Sequence, residues 1–195
     1  MGYDEKIFKS KANIKARRLW LVFAILLTAN YGTDTANGAY SVSNYIIFVI
    51  LCWLPFVCGD ILLKRKGKDN DHYRLAFVIG YGIFYVFLLC TTTSPIAFTY
   101  ILPIISLIVI FKDEKFMIYC AVANMLSLIA SIAFHIFVLG QNTAIDHKNF
   151  QLQIACLLLC YIGYIMSVRH LTESDAALTE SIKSDLNRVV TTVEQ

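Results

Sequence analysis

Residues 151–168 read QLQIACLLLCYIGYIMSV, and residues 169–195 continue as RHLTESDAALTESIKSDLNRVVTTVEQ. The first stretch carries no charge and has the length of a membrane-crossing helix, which needs roughly 20 apolar residues at about 1.5 Å of rise each. The second is polar but contains neither glycine nor proline. In it Leu171, Leu178, Ile182, Leu186, Val189 and Val193 recur at spacings of seven, four, four, three and four. That is the seam of an amphipathic helix, and it is compatible with a coiled coil. No proline separates the two stretches, so one helix is expected to leave the membrane and run on into water.

Five more apolar segments precede this one, at 18–33, 40–63, 75–93, 95–111 and 116–139. The chain is 57% hydrophobic and 16% charged, with a mean hydropathy of +0.61. A soluble domain averages roughly 45–50% apolar and about 25% charged. The charges that do occur sit in short clusters between the apolar runs. The expected fold is all-α: a polytopic membrane protein with a six-transmembrane-helix bundle, the last helix continuing into a cytoplasmic coiled-coil helix. The chain divides into a basic N-terminal segment (1–17), the membrane bundle (18–168) and the C-terminal coiled-coil helix (169–195). The seam still runs at Gln195 with no capping residue, so the chain is expected to be the front of a longer protein.

Orientation is set by lysine and arginine. Six precede the first span, five lie within 64–74, two within 112–115 and three beyond 168, against Lys148 alone in the alternate gaps. Sixteen against one places both termini in the cytoplasm and the protein in the cell membrane. The loops on the other side are short: 31–39, 91–94 and 140–150. None has room for a soluble ligand-binding domain, so any external stimulus is small, lipid-like or carried by the membrane itself. Ser94 and Pro95 read as N-cap and first residue of the fourth span. Pro55 and Pro103 are expected to kink spans two and four. The basic segment between Lys6 and Arg18 mixes apolar and cationic residues, as a helix lying on the inner leaflet would. Membrane lipids are thus expected partners; nucleic acid is not.

Span five carries a polar stripe. Cys120, Asn124, Ser127, Ser131 and His135 are spaced at four, three, four and four, which puts them on one helix face. Small and hydroxyl residues of this kind let helices approach closely, while buried polar groups in a membrane are also candidates for function. Asn124, Ser127, Ser131 and His135 are therefore either packing residues or the lining of a cavity open to the outer face. Cys156, Cys160, Gly163 and Ser167 form a similar stripe in span six. No aspartate or glutamate sits at mid-depth and no span carries spaced arginines, which argues against a proton-coupled pump and a voltage sensor.

Catalytic motifs are missing: there is no His-Glu-x-x-His, no Gly-x-Ser-x-Gly and no phosphate-binding glycine loop. Ser131 and His135 could imitate a dyad but lack a glycine-framed nucleophile. The chain is not expected to be an enzyme or to hold a cofactor or metal. The six cysteines lie in or at the ends of apolar runs, with neither zinc-ligand spacing nor a disulfide framework.

A six-span bundle without an external domain, running straight into SDLNRVVTTVEQ, resembles the N-terminal sensory region of methyl-accepting chemotaxis proteins, particularly those of anaerobic Gram-positive bacteria. The likeness covers the plan of the whole chain, and at residue level the last twenty or so residues. It implies a homodimer joined through the C-terminal helix. It also implies a stimulus relayed through the sixth span, and a histidine kinase and adaptor engaged by output regions beyond this chain. A sensor histidine kinase or a cyclic-dinucleotide synthase would share the membrane plan. A small multi-span transporter is the rival of another class, and would need a polar path through the bundle but no tail.

Overall fold

The computed structural model describes the backbone of residues 2–92 and 94–193 and the side chains of residues 5–92 and 94–192. Thr93, in the turn expected at 91–94, and the side chain of Val193, last of the seam residues, lie outside the described residues. Among the described residues all regular structure is helical. The elements are α1 (Gly2–Ala36), α2 (Val42–Lys66), α3 (His72–Thr91), α4 (Leu102–Ile108), α5 (Glu114–Phe137) and α6 (Ala144–Val193). Tight 3-10 turns, Ala97–Ile101 and Val109–Phe111, flank α4. Helices α2, α3, α5 and α6 are long and apolar enough to cross a membrane.

The helices form a bundle in which α2 packs between α1 and α3, and α5 between α3 and α6. The fourth segment, Ala97–Phe111, fills the middle and touches α1, α3 and α6. Ile101, Ile104, Ile105, Leu107 and Ile108 are each 1% exposed or less, while Leu102, Pro103, Ser106 and Ile110 form a more open outer face. The outward faces are apolar too: Leu26, Ile50, Leu54, Ile79, Ile83, Leu126 and Leu159 are all exposed. Soluble monomers rarely leave contiguous apolar patches beyond a few hundred Å². Apolar surface around the whole waist of a helical bundle is what a hydrocarbon solvent selects. The length and apolarity of these helices are those of a membrane protein.

Three boundaries differ from those read in the sequence. The fourth span is not one α-helix capped by Ser94. Pro95 and Ile96 form a turn, and the helix opens as a 3-10 turn at Ala97. Pro103 explains this. It has no N–H to give to the carbonyl of Thr99, which accepts from the Leu102 N–H instead. Pro103 therefore sits in the first turn of α4 rather than at a kink inside a longer helix. Two α3 tyrosines take up other carbonyls of the tight turn. Tyr81 Oη donates to the oxygen of Tyr100 (2.6 Å) and Tyr85 Oη to that of Phe98 (3.0 Å). Because 3-10 turns rise about 2.0 Å per residue, the Ala97–Phe111 segment reaches about 26 Å rather than the roughly 22 Å of a pure α-helix. That is close to the roughly 30 Å of a hydrocarbon core.

The second difference is at the last span, which begins before the expected 151. Thr143 caps α6: its Oγ1 accepts from the Asp146 N–H (3.2 Å) while Asp146 Oδ2 accepts from the Thr143 N–H (2.9 Å). This is the reciprocal arrangement of a capping box. Asp146, His147 and Lys148, read from sequence as loop residues, therefore belong to the first turns of a helix. The third is at the N-terminus. The basic segment is continuous with the first span in α1, and its Ala12, Asn13 and Ala16 are buried against the protein. Asn13 Nδ2 donates to the carbonyls of Lys68 (2.9 Å) and Asn70 (3.0 Å), tying α1 to the turn between α2 and α3.

Pro55 leaves α2 unbroken, and its ring lies against Gly80 of α3, with Trp20 of α1 on the other side. The Trp20 ring meets Phe77 edge-on at 4.8 Å and Phe56 at 5.9 Å. A Cβ at Gly80 would run into the Pro55 ring, which has little freedom to give way. Gly80→Ala is expected to destabilise the protein by about 1–3 kcal/mol through overpacking. Gly82→Ala, where a Cβ meets open space, is expected to be neutral or slightly stabilising. Thermal unfolding of both variants in detergent checks this, and equal effects would contradict the packing described.

Candidate functional site

The polar side chains gather at the two ends of the bundle. At the end from which the tail emerges, ion pairs join loops and helices. Lys9 pairs with Glu5 and Asp71 (both 3.0 Å), Arg17 with Asp60, and Arg74 with Asp113 (2.7 Å). Lys112 pairs with Asp175, and Arg169 Nε lies 3.0 Å from Glu114. A groove of about 740 Å³ opens among these groups, between α1, the turn after α2, residues 111–115 and Thr172. Burial alone would raise the Asp113 carboxyl. The Phe116 N–H and the Arg74 guanidinium outweigh it and hold the group below the usual carboxylate range. Asp113 also caps α5, accepting from Phe116 N–H at 2.9 Å. The basic clusters at 64–74, at 112–115 and before the first span thus share one end of the molecule, as their alternation along the sequence predicts.

The opposite end carries the His135 site. The polar stripe of α5 divides there. Asn124, Ser131 and His135 are buried, at 7%, 4% and 8% exposure, together with Cys120. Ser127 is only half-buried and returns its hydroxyl to its own helix, at the carbonyl of Ala123 (2.9 Å). The inward face runs through Asn124, Leu128, Ser131 and His135, and Leu128 takes the place that the sequence pattern gives to Ser127. Asn124 lies away from the cavity, donating its amide to the hydroxyl of Tyr161 on α6. His135 bridges elements: Nε2 lies 2.8 Å from the carbonyl of Leu89 at the end of α3, and Nδ1 3.0 Å from Gln141 Oε1. The expected stripe of α6 divides as well. Cys156 and Cys160 are half-buried, Gly163 and Ser167 are exposed, and the packed face is Leu157, Tyr161 and Val168. Bulky side chains, not small ones, fill the gap to α5.

A cavity of about 100 Å³ lies beside His135, lined also by Ser131, Thr92, Ser94, Pro95, Phe98, Gln141, Asp146, Asn149 and Gln153. Gln153 Nε2 donates to the carbonyl of Pro95 (2.9 Å), drawing α6 against the start of the fourth segment. The volume suits a few waters or one small polar solute. Its lining offers hydroxyls, amides, an imidazole and a carboxylate, groups that can donate and accept hydrogen bonds. Among the described residues no three His, Cys, Asp or Glu side chains converge as metal ligands. No family model, curated protein or solved structure matches the chain.

Tyr81, Tyr85, Tyr161, Gln141 and Gln153 are not singled out by the sequence pattern. Two tyrosines four apart in an uncharged span, opposite a segment bracketed by Pro95 and Pro103, are the legible signal for the first two. The glutamines carry none until α6 is known to start at Ala144.

The bond between Asn124 and Tyr161 is testable on its own. Asn124→Ala leaves a buried hydroxyl without its partner and is expected to cost about 1–2 kcal/mol. Combined with Tyr161→Phe it is expected to cost about 0.5–1 kcal/mol less than the sum of the two single variants. A double-mutant cycle of unfolding in mixed detergent measures the coupling; strict additivity would show that the two side chains do not interact.

Proposed function

We propose that this chain is the membrane-embedded sensory module of a chemoreceptor. In this reading six segments cross the cell membrane, the α1 apolar run and the Ala97–Phe111 segment included. Both termini lie in the cytoplasm, and the His135 cavity opens outside. A small polar stimulus, or a change in the bilayer, biases two arrangements of α3, α5 and α6. Helix α6 carries the bias inward to output regions that engage a histidine kinase and its adaptor. A ligand shifts such an equilibrium only by its differential affinity for the two arrangements. The cavity supplies the differential contacts, because its walls come from α3, the fourth segment, α5 and α6 together.

The observation that carries the reading is α6 itself. It is a single 50-residue helix, Ala144–Val193. Its first part lines the cavity; past Val168 it stays tied to the bundle through Arg169 to Glu114 and Asp175 to Lys112 and then projects from it, with Leu171, Leu178, Ile182, Leu186 and Val189 exposed in a row. An exposed apolar seam on a long rod calls for a second helix, and a second copy of the same chain supplies one in register. The core of the bundle weighs against a transporter. Between the His135 cavity and the charged end lie Ile101, Ile104, Ile105, Ile108, Leu128 and Leu157, all essentially inaccessible. A sensor histidine kinase would use the same membrane plan and the same helix, and differs in the output domain that the helix drives.

Cysteines at 178 and 182 are expected to form disulfides between copies in membranes, and cysteines at 180 and 184, on the far face, are not. No crosslink at any seam position would sink the dimeric relay. Transport into vesicles that survives deletion of residues 172–195 would favour the transporter. In the same membranes, His135→Ala is expected to abolish the response to stimulus while Asn124→Ala, away from the cavity, lowers stability alone; an unchanged response in His135→Ala returns that residue to packing.

A further inference from the structure

His135 stands between two oxygens that only accept. Its Nε2 is 2.8 Å from the carbonyl of Leu89, and its Nδ1 is 3.0 Å from Gln141 Oε1. A neutral imidazole has one N–H and can serve only one of them; a ring that serves both is an imidazolium. The Leu89 carbonyl belongs to the main chain and cannot turn round. A neutral ring therefore keeps its proton on Nε2 and leaves Nδ1 bare. Gln141 then turns its amide to donate to Nδ1, and its oxygen moves off the ring. The surroundings of this ring are arranged for a positive charge.

The rest of the cavity points the same way. Among its described lining residues Asp146 is the one carboxylate, and none is a lysine or an arginine. Both bonds that Thr143 gives to this carboxylate go to Oδ2, and neither uses Oδ1. Those bonds hold the carboxyl below the usual carboxylate range, so Asp146 stays ionised where imidazole titrates. Phe98 and Phe150 add aromatic rings, the second 6.4 Å from the imidazole, and aromatic faces attract cations. The other groups around His135 carry no fixed charge. On α3 the Cys90 thiol lies beside Ser131. On α6 the His147 ring is 6.5 Å from that of Phe150 and bonds Asn142 (2.6 Å), while Lys148 is exposed and outside the lining.

We infer that the cavity beside His135 binds a small ammonium cation such as methylammonium, with Asp146 and the Gln141 oxygen as its acceptors, and that this cation and the His135 proton exclude one another. The space of about 100 Å³ sets one positive charge against one carboxylate, and a second positive charge within it repels the first. With the ring neutral, the Gln141 oxygen is free to accept from the ammonium group. With the ring protonated, Nδ1–H takes that oxygen. The inference gives the stimulus of the sensory reading a chemical class, and the cation's role as a stimulus rests on that reading.

The test measures binding of radiolabelled methylammonium to the full chain in nanodiscs of zwitterionic lipid, at about pH 7.5 and about pH 5.5, on either side of the ordinary imidazole range. Saturable binding is expected, at least about threefold weaker at the lower pH because the protonated ring repels the cation. Ammonium is expected to compete; formamide, similar in size but uncharged, is not. Asp146→Asn, which keeps a capping side chain on α6, and Asn149→Lys, which puts a tethered ammonium group in the lining, are each expected to weaken binding at least about tenfold. His135→Gln is expected to bind equally at both pH values, and His147→Gln to keep the ratio of the unchanged chain. No saturable binding at the higher pH overturns the proposal, as does equal binding at both pH values in the unchanged chain. So do competition by formamide equal to that by ammonium, undiminished binding in both Asp146→Asn and Asn149→Lys, and a pH dependence that survives in His135→Gln. Binding is read without any output, so these results leave the relay to the crosslinks at 178 and 182. Absence of those crosslinks overturns the relay and leaves the binding site standing.

Discussion

A peptide group in hydrocarbon has no water to bond, so it must find its partner within its own segment or on a neighbouring side chain. The rest of this structure depends on that constraint. It accounts for the helical character of the described residues, and for the treatment of the one segment that cannot be regular. Where Pro103 withholds its N–H, the chain tightens into a 3-10 turn, and the hydroxyls of Tyr81 and Tyr85 satisfy the carbonyls of Tyr100 and Phe98. An irregular backbone is tolerable there because the tight turn at Ala97–Ile101 is buried against α3, whose tyrosines reach its carbonyls.

The same segment gives the bundle its polarity. At one end its start meets α5 and α6 around His135, where hydroxyls, amides and an imidazole converge on a small cavity. At the other its finish turns through Lys112 into a set of ion pairs that grips α6 as it leaves the membrane bundle. Between them the core is apolar, built of aliphatic and aromatic side chains. In the proposed relay the molecule conveys a change of packing rather than a solute. Its charged groups hold rods in place, and its cavity stops short of the middle.

Much of the fold was legible in the sequence because hydrocarbon imposes long runs with sharp, charged borders. The borders at 64–74 and 112–115 fall where the structure puts its turns. What the sequence concealed came from local backbone chemistry. The capping box of Thr143 and Asp146 extends α6 through residues that composition alone assigns to a loop, and Pro103 converts a plain apolar run into a broken one. The site was half legible. Helical spacing brought Asn124, Ser131 and His135 to one face, but it could not show that Leu128 rather than Ser127 completes that face. Nor could it show that Asn124 is committed to Tyr161. Spacing gives direction around a helix; it says nothing of the partner that waits there.

The proposed relay requires α6 to be one stiff rod from the cavity to the seam, since a flexible joint at residues 168–172 would lose the displacement that the helix is proposed to carry. Spin labels at positions 163 and 183 of the same chain, diluted with unlabelled protein in lipid vesicles, measure this directly by electron–electron dipolar coupling. Twenty residues of unbroken α-helix place the two backbone sites about 30 Å apart, and a rigid relay predicts a single narrow distribution near that distance. A broad distribution, or a dominant population several ångströms shorter, would contradict it.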